Sequence, residues 1–142
     1  MGELKPLKFL EAHRDAAALE RRHVLIVEDD VDCAALLREA LELCEHSVSV
    51  ARDVAEALRT IRENRPDTVF CDIHLPGLRD GYGLAREVRD DQSLNETVLV
   101  ALSGMVGRDH SDRARAAGFD AQLTKPAELS QLERAVFTPR RA

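Results

Sequence analysis

The chain has 142 residues, 44% of them hydrophobic and 32% charged, with a formal net charge of −6. That length is about one domain, and the composition suits a buried core while excluding a disordered or fibrous chain. The excess of acid, with four Phe, one Tyr and no Trp, argues against a nucleic-acid surface, which needs basic stripes and stacking rings.

Cys33, Cys44 and Cys71 are three cysteines without Cys-x-x-Cys spacing, so neither a disulfide framework nor a zinc site is expected. They read as reduced, mostly buried thiols of a cytoplasmic protein. No membrane span and no signal peptide is expected, because no stretch nears the roughly 18 apolar residues a span requires.

In chain order, residues 7 to 22 read as a helix opened near Pro6, with Leu7, Leu10, Ala17 and Leu19 among its apolar positions. It forms an extension over 1–22 that precedes the main domain, 23–138, with 139–142 as a tail. Val24-Leu25-Ile26-Val27 is an apolar run of buried-strand length. A helix over about 31 to 45 follows, with Leu36, Leu37, Ala40, Leu41 and Cys44 on one face and Asp30 or Asp32 as its N-cap. Ser47 to Ala51 alternates polar and apolar, as a short edge strand does. Asp53 caps a helix carrying Ala57, Leu58 and Ile61, which ends at Asn64 before Pro66.

Thr68-Val69-Phe70-Cys71 then delivers Asp72. The turn-rich loop from Pro76 to Gly81 leads into a helix through Leu84, Ala85 and Val88. Val98 to Leu102 delivers Ser103, and Gly104 and Gly107 loosen the way into a helix over about 109 to 117, ended by Gly118. Phe119 to Leu123 leads to Thr124-Lys125-Pro126, and a last helix near 127 to 137 closes the pattern. Alternating strands and helices predict an α/β fold, a doubly wound five-stranded parallel sheet, with 2-1-3-4-5 as the flavodoxin-like strand order.

Four apolar runs each end in a polar group: Glu28-Asp29-Asp30, Asp72, Ser103 and Lys125. In a parallel sheet these are strand C-termini, the edge at which ligands bind. Acids before a helix are ordinarily caps and dipole partners. With strands one and three adjacent, however, Glu28, Asp29 and Asp72 converge. Carboxylates about 4 Å apart repel by roughly 4 kcal/mol at an effective dielectric of 20. A small hard cation relieves that repulsion, and Mg²⁺ commonly joins carboxylates to phosphate oxygens. Aspartate is also a known phosphoryl acceptor.

This order of an acid pair, Asp, Ser and Lys-Pro resembles the receiver domain of two-component response regulators, over roughly residues 22 to 138. The resemblance implies Mg²⁺ held by Glu28, Asp29, Asp72 and the backbone carbonyl of His74, whose ring is expected to face solvent. It implies Asp72 as phosphoacceptor, with Ser103 and Lys125 contacting the phosphoryl oxygens, and a Lys125-Pro126 peptide that is often cis in that family. The donor is then a histidine kinase or histidine phosphotransfer protein, and the recipient of the signal is a downstream protein partner. Such a domain is a switch with slow autodephosphorylation and not an enzyme in the turnover sense.

Two positions depart from the pattern. The loop from Pro76 to Gly81 is about one residue longer than the commonest form. Gln122 stands where an aromatic switch residue is usual, so the switch is expected to run through Ser103 and the loop from Gly104 to Gly107. The N-terminal extension is expected to dock on the domain or to pair two chains as a homodimer. A non-phosphorylated module of the same shape is the alternative function. An aspartate-nucleophile phosphatase fits less well, since His74 stands where its second aspartate belongs.

Overall fold

The computed structural model describes residues 21–104 and 107–141. Within them, strands β1 (His23–Val27), β2 (Ser47–Ala51), β3 (Thr68–Asp72), β4 (Val98–Ser103) and β5 (Ala121–Thr124) form one parallel sheet in the order β2-β1-β3-β4-β5. Each strand is followed by a helix: α1 (Val31–Leu43), α2 (Val54–Asn64), α3 (Gly81–Asp90), α4 (Arg108–Ala117) and α5 (Leu129–Val136). The expected fold class and strand order are therefore those observed. The helix expected over 7–22 lies outside the described residues apart from Arg21 and Arg22, which are not helical and lead straight into β1.

Side chains alternate across each strand, so each run feeds two cores. Val24, Ile26, Phe70, Val100 and Leu102 pack with Leu41 of α1 and Leu132 and Val136 of α5. Leu25, Val27, Val69, Leu99 and Ala101 face the other way, onto Leu58 and Ile61 of α2, Leu84 and Val88 of α3, and Ala114 of α4. Edge strand β5 is only half-buried along Ala121–Leu123.

Three aspartates start helices by the same means. Asp30, Asp53 and Asp80 accept the backbone N–H three residues on, at 2.9, 2.8 and 3.1 Å, which satisfies donors the helix leaves free. Asp30, and not Asp32, is thus the cap of α1. That helix stops at Leu43 and not near 45, because Glu45 adopts φ 67°. Leu36, expected on the core face, is 69% exposed. Ala34, Leu37 and Leu41 hold the sheet-facing stripe, and Leu36 sits about 100° around the helix from Leu37.

The N-terminal end of the sheet is tied by charges that the chain-order reading did not anticipate. Asp120 is buried just before β5, and its Oδ2 accepts from Arg89 Nη2 at 2.8 Å and from Leu99 N at 2.9 Å. Its Oδ1 accepts from Arg140 Nη1 at 2.9 Å and Arg141 N at 2.8 Å, so two of the residues expected as a tail are anchored. Arg89 also donates to Gly118 O and Thr97 O. Burial pulls the Arg89 pKa down to about 10, against the pull of Asp120, which leaves it charged at neutral pH.

The candidate phosphoacceptor pocket

The C-terminal ends of β1, β3, β4 and β5 bring the predicted residues together. β1 and β3 pair in register through Val27 and Cys71, so Glu28 and Asp72 are the next residues out on neighbouring strands. Carboxylate oxygens of Glu28, Asp29 and Asp72 all lie within 4.8 Å of one another. Glu28 is 1% exposed and Asp72 7% exposed, whereas Asp29 is open to solvent. Of the acidic triplet, Asp30 is spent on the helix cap and takes no part in the cluster.

Lys125 reaches across from the end of β5. Its Nζ lies 2.6 Å from Glu28 Oε1 and 3.3 Å from Asp72 Oδ2, and its backbone N–H donates to Ser103 O at 2.8 Å. The lysine thus offsets part of the repulsion that the carboxylates impose. Burial, then the neighbouring Asp72 carboxylate, nonetheless pushes the Glu28 pKa up, with Lys125 opposing. Burial alone would lower the Lys125 pKa, but the hydrogen bond it donates to Glu28 and the charges of Asp72 and Glu28 outweigh it, and the net direction is upward. In this pocket three clustered carboxylates face the single ammonium of Lys125.

Glu28 Oε2 is buried and has no hydrogen-bond partner. A buried carboxylate oxygen in that state is costly, and together with the clustered oxygens of Glu28, Asp29 and Asp72 it fits a site for a hard divalent cation with oxygen ligands. Receiver domains hold Mg²⁺ in an acidic pocket of this kind.

The remaining predicted residues fall around the cluster. The His74 ring side is exposed, as expected, and its backbone N–H donates to Asp72 Oδ1 at 3.0 Å. Ser103 is buried at the end of β4, opposite Thr124 of β5. The Lys125–Pro126 peptide is cis. Among the described residues, a Cβ at Gly104 would meet nothing within 4 Å. Gly81 does the reverse: a Cβ there would lie 2.7 Å from Asp72 O and 2.8 Å from Ile73 Cα. The first turn of α3 therefore packs directly on the backbone of Asp72, and only glycine permits that approach. Gln122, on β5 opposite Ala101, is partly buried, with Oε1 enclosed and unpartnered. Met105 and Val106, within the loop expected to move with Ser103, lie outside the described residues.

Residues 24–137 match the family model for the response regulator receiver domain. The transcriptional regulatory protein PrrA of Mycobacterium tuberculosis is 38% identical over 109 residues, covering 77% of this chain but 46% of PrrA. The chain thus spans about half the length of that relative. The polar-differentiation response regulator DivK of Brucella anthropi is 30% identical over 108 residues, covering 76% of this chain and 87% of DivK. Among solved structures, the receiver domain of the Francisella response regulator 1452 aligns with a TM-score of 0.75 at 28% identity, over 82% of this chain and 93% of that one. With its sheet order, its acidic strand ends and these likenesses taken together, the chain belongs to the response regulator receiver domain family of two-component signalling.

Proposed function

We propose that Asp72 accepts a phosphoryl group and that the domain passes this signal to a downstream protein as a conformational switch. The observation that carries the reading is the convergence of Glu28, Asp29 and Asp72 within 4.8 Å, with the Lys125 ammonium against two of them. An Asp72 carboxylate oxygen attacks phosphorus, the bond from phosphorus to the donor's histidine nitrogen breaks, and the departing imidazole keeps that electron pair. Glu28, Asp29, Asp72 and the His74 backbone carbonyl would hold Mg²⁺, which supplies charge neutralisation to the phosphoryl oxygens during transfer.

Lys125, now 3.3 Å from Asp72 Oδ2, moves its charge to a phosphoryl oxygen, and the Ser103 hydroxyl donates to another. A new dianion beside Ser103 then favours whichever loop state gives it more hydrogen bonds, and the population shifts only by that difference. The protein is a phosphoacceptor with slow self-hydrolysis, working in the cytoplasm with a histidine kinase or histidine phosphotransfer protein as donor. Among the described residues no helix is long and apolar enough to cross a membrane.

The test is incubation with acetyl phosphate, followed by intact mass measurement. One phosphoryl group should be added with Mg²⁺ and none with EDTA. Addition that is indifferent to EDTA would contradict the metal-dependent reading.

A further inference from the structure

Between α1 and α5 an apolar groove of about 420 Å³ runs down one face of the domain. Leu36, Leu37 and Ala40 form one wall, and Ala127, Leu129 and Leu132 the other, with Lys125 at the upper end. Leu36 is 69% and Leu129 45% exposed. Two large aliphatic side chains on facing walls of one groove call for a cover, since isolated exposed leucines are ordinary but a lined apolar trough is not.

The chain itself enters the fold below this groove, at the ends of the same two helices. Arg22 N donates to His46 Nδ1, just past the C-terminal end of α1, at 3.3 Å. The Arg22 guanidinium carbon lies 5.3 Å from the ring centroid of Phe137, at the end of α5. His46 and Phe137 in turn stack with centroids 5.6 Å apart. Arg22 therefore sits on the seam between the two helices that wall the groove.

The sequence of that segment suits the trough. After Pro6, Phe9, Ala12, Ala16 and Leu19 recur at i, i+3, i+7 and i+10, one stripe of a helix. At about 1.5 Å per residue, a helix over 7–20 is roughly 21 Å long. That is about the length of α1, with its 13 residues. A helix whose C-terminus lies at the foot runs parallel to α1, which descends from the pocket edge. Phe9 then comes level with the first turn of α1, where Cys33 lines the groove.

We infer that residues 7–20 form an amphipathic helix that docks in cis into the groove between α1 and α5, with Phe9, Ala12, Ala16 and Leu19 against its apolar walls. The occupant is this chain's own segment because Arg22 holds it at the ends of the two helices that wall the groove, below Ala40 and Leu132. A tether of one or two residues gives it an effective concentration that a free partner would have to exceed.

The experiment uses the full chain in a Cys44→Ser background, with Cys71 buried. Phe9→Cys should form a disulfide with Cys33 under mild oxidation, within a monomer on a non-reducing gel. A disulfide-linked dimer would overturn docking in cis and assign the groove to a second copy. No disulfide at all would overturn the proposal outright. Without any introduced cysteine, alkylation of Cys33 by N-ethylmaleimide should quicken at least fivefold in the Phe9→Asp/Leu19→Asp variant. Leu36→Asp, on the α1 wall and largely exposed so that the core is spared, should quicken it likewise. Rates unchanged in both variants would overturn the proposal.

Discussion

Asp120→Ala is expected to cost about 3 kcal/mol of folding stability, the low end of the loss seen when one partner of a buried ion pair is removed. The Asp120 side chain is fully buried, while Arg89 and Arg140 are 13% and 23% exposed. Truncation leaves two guanidinium groups facing each other and strips Leu99 N of its acceptor. It also removes the carboxylate oxygen to which Arg140 Nη1 and Arg141 N donate. Partial solvation of the arginines keeps the figure from rising further. Urea unfolding measures it, and the Asp120→Ala/Arg89→Met double variant should regain much of the loss by removing the stranded charge. A loss under about 1 kcal/mol in the single variant would mean that the network is solvated and weak.

Lys125→Met is expected to lower stability by about 2 kcal/mol in Mg²⁺-free buffer, because Glu28 is left buried without its cation. The lysine is 26% exposed and Glu28 only 1%, so the cost lies almost wholly on the carboxylate side. It is bounded, since burial and Asp72 already push Glu28 towards its protonated form. Mg²⁺ should then stabilise the variant more than it stabilises the unmodified protein, because a bound ion adds stability by mass action and takes over the missing positive charge. Unfolding with and without Mg²⁺ separates the outcomes. An equal response to Mg²⁺ in both proteins would show that lysine and metal do not share the same carboxylates.

The fold was largely legible because its signals are local and repeated. Fully apolar runs at Val24–Val27 and Val98–Leu102 mark strands covered on both faces, and connecting them through helices gives a doubly wound sheet, with 2-1-3-4-5 as its flavodoxin-like order. The pocket was legible because Glu28, Asp72, Ser103 and Lys125 each terminate such a run. Helix detail was less so. Leu36 carries the right residue type at a position one step off the sheet-facing stripe, which spacing alone does not exclude. Spacing alone does not decide the cap between Asp30 and Asp32; the Cys33 N–H donates to Asp30.

The Asp120 network escaped for a different reason: its partners lie 20 and 31 residues away, beyond any spacing rule. A signal existed nonetheless. Asp120 interrupts the apolar stretch from Phe119 to Leu123, and a buried carboxylate there requires cations from somewhere. The same holds for His46 and Glu133, whose 2.9 Å contact joins positions 87 residues apart. Long-range pairing of polar groups is decided by the fold, after the local elements have formed.

The account's central claim is that the carboxylate of Asp72 is the group that carries the phosphoryl. An acyl phosphate can be reduced with borohydride, which converts the modified aspartate to homoserine and leaves free carboxylates untouched. After incubation with acetyl phosphate and Mg²⁺, peptide mapping should find homoserine at position 72, and Asp72→Asn should carry no phosphoryl group. Homoserine at position 29, or a phosphoryl group retained at full level in Asp72→Asn, would contradict the account.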